Sequence, residues 1–255
     1  MVRFIDAPSV YIVGQSNCDM AEIKKFLVNN AVAGWETDAP TDAERLIELA
    51  GRVCYMSFAK PRPGGNSAYI EHILEVGHGS VLEHANVSVL FEGVSRSLTH
   101  QLVRHRAGFS YSELSQRFCD LNNDPAFVVP PLYLPFGWRR SRWEVSVERS
   151  FGDYLALSRD ACGLSKSTTS RKADLEAARS VLPESVETKI VVTANVRAWR
   201  HWIELRGTAE TDAEHRRLVL TALPEFQAAL PNAFGDYAVL DQNGVNVVRG
   251  SHLKV

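Results

Sequence analysis

The sequence predicts an α+β fold from three observations. Residues 86–94, NVSVLFEGV, alternate with the period of a half-buried strand, whereas residues 195–206, NVRAWRHWIELR, carry the period of an amphipathic helix. Strand-like and helix-like segments also follow one another without the regular β-α-β alternation that builds a doubly wound sheet.

Each element has a local reason. TDAE occurs at 41 and again at 211, in both places a threonine with glutamate three residues on, so helices are expected to begin near Thr41 and Thr211 with those threonines as N-caps. ERLIELAGRVCYM keeps helical apolar spacing and runs out before KPRPGGN, whose prolines and glycines make a surface loop. Residues 68–76 read as a further helix ending at Gly77. Val87, Val89 and Phe91 alternate with Ser88, Leu90 and Glu92 in the central strand, and a helix follows from about Ser95. DPAFVVPPLYLPFGW holds four prolines and is expected to be an irregular loop, and 141–162 an amphipathic helix. LEAARSVLP is a helix halted by Pro183, TKIVVTA a strand, and NVRAWRHWIELR the strongest helix of the chain.

The 255 residues are 45% hydrophobic, enough to bury a real core as one large domain or two small ones. A net charge of −2 argues against bulk electrostatic binding to nucleic acid or an anionic membrane, while leaving room for a local basic pocket. Cys18, Cys54, Cys119 and Cys162 lie far apart without a C-x-x-C pair, which points to a reducing, cytoplasmic protein without structural disulfides. The amino terminus MVRFIDAPSVYIVGQ lacks a signal peptide's sustained apolar region, and no apolar run approaches the ~20 residues of a membrane-spanning helix.

The chemistry concentrates in RHRAGFSYSELSQRF, residues 104–118. On a helix SRSLTHQLVRHR, Leu98, Thr99, Leu102 and Val103 share one face, Gln101 and Arg104 project opposite, and Arg106 falls back onto the apolar side. A charge there either snorkels to solvent or is paired in a pocket. Gly108 then permits a sharp turn, and the hydroxyl- and amide-rich run beyond it suits a ligand with many acceptors. A bare R-H-R also reads as a solvated helix end, where basic side chains meet the last carbonyls. The second cluster weighs against that plainer reading. In NVRAWRHWIELR, Val196, Trp199, Trp202, Ile203 and Leu205 define an apolar arc with Arg206 in its middle, while Arg197, Arg200 and Glu204 lie opposite. Arg106 and Arg206 together predict a lined pocket in which a guanidinium offers its planar donor fork to an anion.

RHRAGFSYSELSQR resembles the signature of the flavin-dependent thymidylate synthases, R-H-R followed seven or eight residues later by Ser-x-Arg. Here eight residues separate Arg106 from Ser115. GHGSVLEH at 77–84, the glutamine three residues before R-H-R, AARSVLP at 177–183 and NVRAWRHWIELR are similar to family segments in the family order, over roughly residues 40–230. The resemblance implies that family's α+β fold, a mixed sheet flanked by helices in a single catalytic domain spanning residues 1–255, in a homotetramer with active sites between subunits. It implies C5-methylation of dUMP or UMP, with 5,10-methylenetetrahydrofolate as carbon donor and NADPH reducing a bound FAD. Ser80, Glu83, Arg104, His105, Arg106, Glu113, Asn195, Arg197 and His201 match flavin-contacting positions. Gln101, Glu113, Leu114, Ser115, Gln116, Arg117 and Arg179 match positions that hold the nucleotide, and Arg206 matches the catalytic arginine at the pyrimidine N3.

The chemistry supports these roles. C5 of uracil is a poor nucleophile unless electron density enters the ring, and a fixed cation near N3 and O4 favours the N3-ionised form. No metal is expected: His78, Glu83, His84, His100 and His105 form neither H-E-x-x-H nor a common zinc spacing. Neither a G-x-G-x-x-G nor a P-loop is present, and Ser115 reads as a hydrogen-bonding group rather than a covalent nucleophile. Two departures from the family stand out, Glu210 where many relatives have histidine and Cys54 where a small hydroxyl residue contacts flavin. They leave methylation of UMP or another uridine nucleotide in specialised metabolism as the alternative. A nucleic-acid-binding module built on the R-H-R helix would need a wider basic face than this charge balance offers.

Overall fold

The computed structural model describes residues 2–32, 34–60, 62–121, 124–158 and 167–252. In chain order the elements are β1 (Arg3–Ile5), β2 (Ser9–Gln15), α1 (Met20–Asn29), α2 (Asp42–Tyr55), α3 (Gly65–Glu75), β3 (Asn86–Ser95), α4 (Arg96–Leu102), β4 (Phe109–Glu113) and β5 (Ala126–Val128). They continue as α5 (Trp138–Ser158), α6 (Thr168–Ala178), β6 (Glu187–Asn195), α7 (Val196–Arg206), α8 (Ala213–Ala229), α9 (Pro231–Phe234), β7 (Tyr237–Gln242) and β8 (Val245–Gly250). A four-stranded sheet runs in the order β2-β3-β6-β4, beside a β1-β5 pair and a β7-β8 hairpin. Strands and helices mix without β-α-β alternation, which is the expected α+β class.

Two compact units divide the chain, one of Met1–Ser9, Phe91–Arg104 and Tyr111–Val191, the other of Val10–Leu90, His105–Ser110 and Val192–Val255. The first unit packs Phe127, Val147, Phe151, Tyr154, Leu175 and Val186 into a buried cluster. Arg96 in this unit reaches Glu113 at 2.8 Å, and Thr99 donates to the same carboxylate at 2.8 Å. The second unit is built around α7, whose Trp199 and Trp202 are fully buried and meet edge to face at 5.4 Å. Trp199 Nε1–H donates to the Val87 carbonyl at 3.1 Å, tying α7 to β3.

Several local expectations are realised. Thr41 caps α2, its hydroxyl accepting from Glu44 N at 3.2 Å. Replacing it with alanine is expected to cost about 1 kcal/mol of stability, read as a lower denaturant midpoint at unchanged slope. Val87, Val89 and Phe91 are wholly buried on β3, Ser95 caps α4, and α3 ends just before Gly77, whose φ of +70° suits only a residue without a Cβ.

Four expectations are corrected. The helix bearing Leu98 stops at Leu102, so Arg104, His105 and Arg106 are not helical and Arg106 is exposed. Tyr111 Oη donates to the Leu102 carbonyl at 2.9 Å, taking the acceptor that Arg106 N would use in a longer helix. The cap of α8 is Asp212, which accepts from Glu214 N and His215 N, because the Thr211 hydroxyl instead donates back to Leu205 O at 3.0 Å. Within the proline-rich segment Ala126–Val128 form a buried strand parallel to β1, register Phe4 to Phe127. Its prolines flank the strand rather than interrupt it. On α7, Arg200 is buried and Leu205 exposed, the reverse of their predicted faces. The helix expected over 141–162 runs from Trp138 to Ser158, and its last expected residues, with Cys162, lie outside the described residues.

Candidate active site

In the second unit a cleft of about 260 Å³ is lined by Glu83, Ala107, Gly108, Asn195, Arg197, Ala198 and His201. Helix α7 supplies most of it. Asn195 is its N-cap, Oδ1 accepting from Ala198 N at 2.8 Å, and its Nδ2 lies 2.8 Å from where a Cβ on Gly108 would stand. Gly108 has φ +76° as well, so both backbone and space require glycine there. Arg197 pairs with Glu83 at 2.6 Å across the cleft wall, with both side chains partly open to solvent.

Beyond the cleft lining, Arg206 at the end of α7 donates from Nε to His105 Nε2 at 3.0 Å. His105 is thereby an acceptor, neutral and protonated at Nδ1. Its ring is flanked by Phe109 at 5.9 Å, His201 at 6.5 Å and His215 at 6.4 Å, centroid to centroid. Burial, with the charge of Arg206 and then His201, brings His105 from its usual 6.5 down to about 4. Burial also dominates at His215, followed by Arg206 and His105, and lowers it to about 3. Among the described residues Arg206 makes no ion pair, so a half-buried guanidinium keeps its full charge beside imidazoles that cannot neutralise it.

A pH dependence follows from these two histidines. Both are neutral in the fold and take up protons in the unfolded chain below about 6.5. Their contribution to stability is therefore complete above that pH and is lost as pH falls toward 4 and then 3. Melting temperature should drop between pH 7 and 5, and less steeply in H215Q, which is checked by paired thermal scans.

The first unit gathers a second group. Glu113 is held by Arg96 and Thr99, and the Leu114 carbonyl accepts from Arg96 at 3.3 Å. Ser115 Oγ accepts from Arg117 N at 3.4 Å, while Arg117 Nε is paired with Glu176 at 2.8 Å. Gln116 is 7% exposed, and its Nε2 is buried without a hydrogen-bond partner, a donor that a ligand's acceptor would satisfy. Gln101 and Arg179 are half-buried in the same unit.

The predicted pocket formed by Arg106 with Arg206 is not what the structure holds. Arg104 and Arg106 are exposed and outside the cleft lining, and Arg206 meets His105 instead. Ser80 is exposed on the short helical turn that carries Glu83. Glu210 and Cys54 are exposed as well. Sequence reasoning missed His215, although His215, Leu218, Val219 and Ala222 share one helix face and are all buried. It also missed Arg96, whose partner Glu113 stands seventeen residues away. Among the described residues no group of three His, Cys, Asp or Glu could hold a metal, and no helix is long and apolar enough to cross a membrane.

An α+β scaffold that presents an arginine without an ion pair among the described residues, neutral imidazoles and a glycine-backed cleft is suited to an enzyme that stabilises negative charge. Residues 37–232 match the family model described as thymidylate synthase complementing protein. The chain belongs to that family. A flavin-dependent thymidylate synthase of Mycobacterium sp. (strain JLS) is 45% identical over 215 residues, 80% of this chain and 84% of that one. Its counterpart in Mycobacterium tuberculosis (strain ATCC 25177 / H37Ra) is 42% identical over 210 residues, 80% and 83% of the two chains. The fold is also that of the UMP/dUMP methylase PolB from Streptomyces cacaoi, solved with 5-Br dUMP, at a TM-score of 0.65 and 19% identity over 91% of this chain and 95% of that one.

Proposed function

We propose that this protein is a flavin-dependent thymidylate synthase that methylates dUMP at C5, with 5,10-methylenetetrahydrofolate as carbon donor and NADPH as reductant. The observation that carries this reading is the Arg206 guanidinium, half-buried, bonded to His105 and, among the described residues, paired with no carboxylate. Family membership and 45% identity to a relative of that name support it.

The donor set fits a flavin. Gly108 lets the Asn195 amide pack against its backbone at the cleft, and Arg197 and His201 line the same cleft, donors of the kind a flavin's carbonyl oxygens and ring nitrogens accept. Glu83, Asn195, Arg197, His201 and His105 would hold FAD, with Ser80 and Glu113 as further contacts and the exposed Arg104 and Arg106 reaching its phosphates. When bound, the flavin supplies the hydride chemistry of the reaction.

The chain's own groups do the rest. Arg206 stabilises negative charge on N3 and O4 of the pyrimidine, pushing electron density to C5 without giving up a proton, since a guanidinium stays charged at any working pH. Arg117 and Arg179 clamp the phosphate, Arg117 exchanging Glu176 for it, with Ser115 and the unpartnered Gln116 amide completing the contacts. Gln101, Glu113 and Leu114 fix the ring and sugar. The whole chain acts as one catalytic domain, in a cytoplasmic homotetramer with sites completed between subunits. No nucleic acid or membrane partner enters the reaction.

Glu210 favours one second reading, methylation of UMP or another uridine nucleotide, because it adds negative charge four residues beyond Arg206. Anaerobic turnover with dUMP and UMP offered separately tests both. Thymidylate from dUMP is expected; methylation of UMP in preference would select the second reading, and product from neither would refute both.

A further inference from the structure

His215 belongs to no motif, yet it stands at the centre of the charged site. It is wholly buried on α8, on a face whose other members, Leu218, Val219 and Ala222, ask only for an apolar residue. Trp202 Nε1–H donates to His215 Nε2 at 3.0 Å, so the imidazole proton sits on Nδ1. That Nδ1 is buried and, among the described residues, has no hydrogen-bond partner. A buried donor left without an acceptor is destabilising, so packing alone does not account for a histidine here. The His215 ring meets Trp202 at 5.9 Å and the His105 ring, nearly perpendicular, at 6.4 Å. His105 in turn accepts from Arg206 Nε.

The buried Trp202 indole needs an acceptor, and Arg206 is the cation whose charge bears on His215. A carboxylate in this place would satisfy the indole but neutralise the guanidinium; a cation would repel it. A leucine or phenylalanine would leave the Trp202 N–H unmet. An uncharged imidazole satisfies all three demands. We propose that His215 is a positioning residue for Arg206, a buried, uncharged acceptor that locks Trp202 and backs the His105 ring, holding the guanidinium in place without neutralising its charge. With Nε spent on His105, the remaining N–H groups of Arg206 form the fork left for the substrate. This rests on the reading of Arg206 as the pyrimidine-facing cation.

The charged and titratable groups that bear on His215 are Arg206 and His105, with His201 on the far side of His105. The test compares H215Q, which keeps an uncharged acceptor, with H215E, which keeps an acceptor but adds charge. Expected are turnover in H215Q within about threefold of the parent, and in H215E a kcat lower by roughly a hundredfold at little-changed nucleotide KM, as for a displaced catalytic group. The second readout, ¹⁵N NMR titration of His105 without ligands, should show its protonation moving to higher pH in H215E and staying low in H215Q. Because the added charge alone raises that titration in H215E, a purely structural His215 is recognised by kcat instead, which it would leave equal in H215Q and H215E while melting temperature falls. Equal kcat in the two variants would overturn the proposal. Should H215E fail to fold, H215F carries the test: roughly tenfold lower kcat supports the proposal, parental kcat overturns it. If R206A keeps turnover, the reading of Arg206 fails, and the His105 titration in H215F against H215Q, free of any added charge, decides whether His215 seats the contact.

Discussion

Replacing Arg206 with alanine is expected to lower kcat by at least about a hundredfold, the usual cost of removing one preorganised electrostatic group, while leaving the fold intact. The side chain is half-buried and its bonded partner is a neutral imidazole, so its loss strands no carboxylate. His105 and His215, held down first by burial and then by the Arg206 charge, should both titrate at higher pH in this variant, because that charge is gone. R206K keeps a charge but neither the fork nor the Nε contact, and should recover only a small part of the rate. Steady-state kinetics with dUMP, alongside far-UV circular dichroism, checks both statements; turnover within a fewfold of the parent would sink the role given to Arg206.

The largest loss of stability is expected on breaking the pair between Arg200 and Asp236. Arg200 is 1% exposed, binds both carboxylate oxygens at 2.6 and 2.9 Å, and donates to the carbonyls of Ala233 and His252 at 2.7 and 2.9 Å. Its guanidinium also lies 4.6 Å over the Tyr237 ring, whose hydroxyl donates to Glu204 at 2.9 Å. This network fastens the start of the β7-β8 hairpin to α7, the helix that carries Arg197, His201 and Arg206. D236A leaves a buried cation without its partner, which costs roughly 3–5 kcal/mol, whereas replacing both residues with apolar ones of similar volume should cost far less. In a chain of this size that loss lowers the melting temperature by on the order of 10 °C. A double variant as unstable as D236A would show that the charge pair is not what holds the hairpin.

What was legible in the sequence depended on how far away the deciding contact lies. The cap at Thr41, the alternation of β3 and the register of Trp199 and Trp202 on α7 are set by neighbours within a turn or two, and their local patterns sufficed. The end of α4 is decided by the Tyr111 hydroxyl nine residues on, so the helical wheel that placed Arg106 among apolar residues ran past the real terminus. β5 exists because β1, more than a hundred residues earlier, offers a parallel edge to Ala126–Val128. The site divided in the same way. Family-like motifs pointed to His105, Glu113 and Arg206, but their supports, Arg96, Arg200 and His215, are polar residues whose burial is defined by tertiary partners. Nothing in the local spacing of Arg96 or Arg200 separated them from solvated side chains, whereas His215 shares the apolar face of α8 with Leu218, Val219 and Ala222, a signal its spacing did carry.

The most direct measurement is an anaerobic single turnover of the FAD-loaded, reduced protein with dUMP and methylenetetrahydrofolate carrying ¹³C in the methylene group, with the nucleotide read by mass. Thymidylate with the label in its C5-methyl group is the predicted product. Unlabelled dUMP recovered intact from flavin-loaded, folded protein would contradict the account.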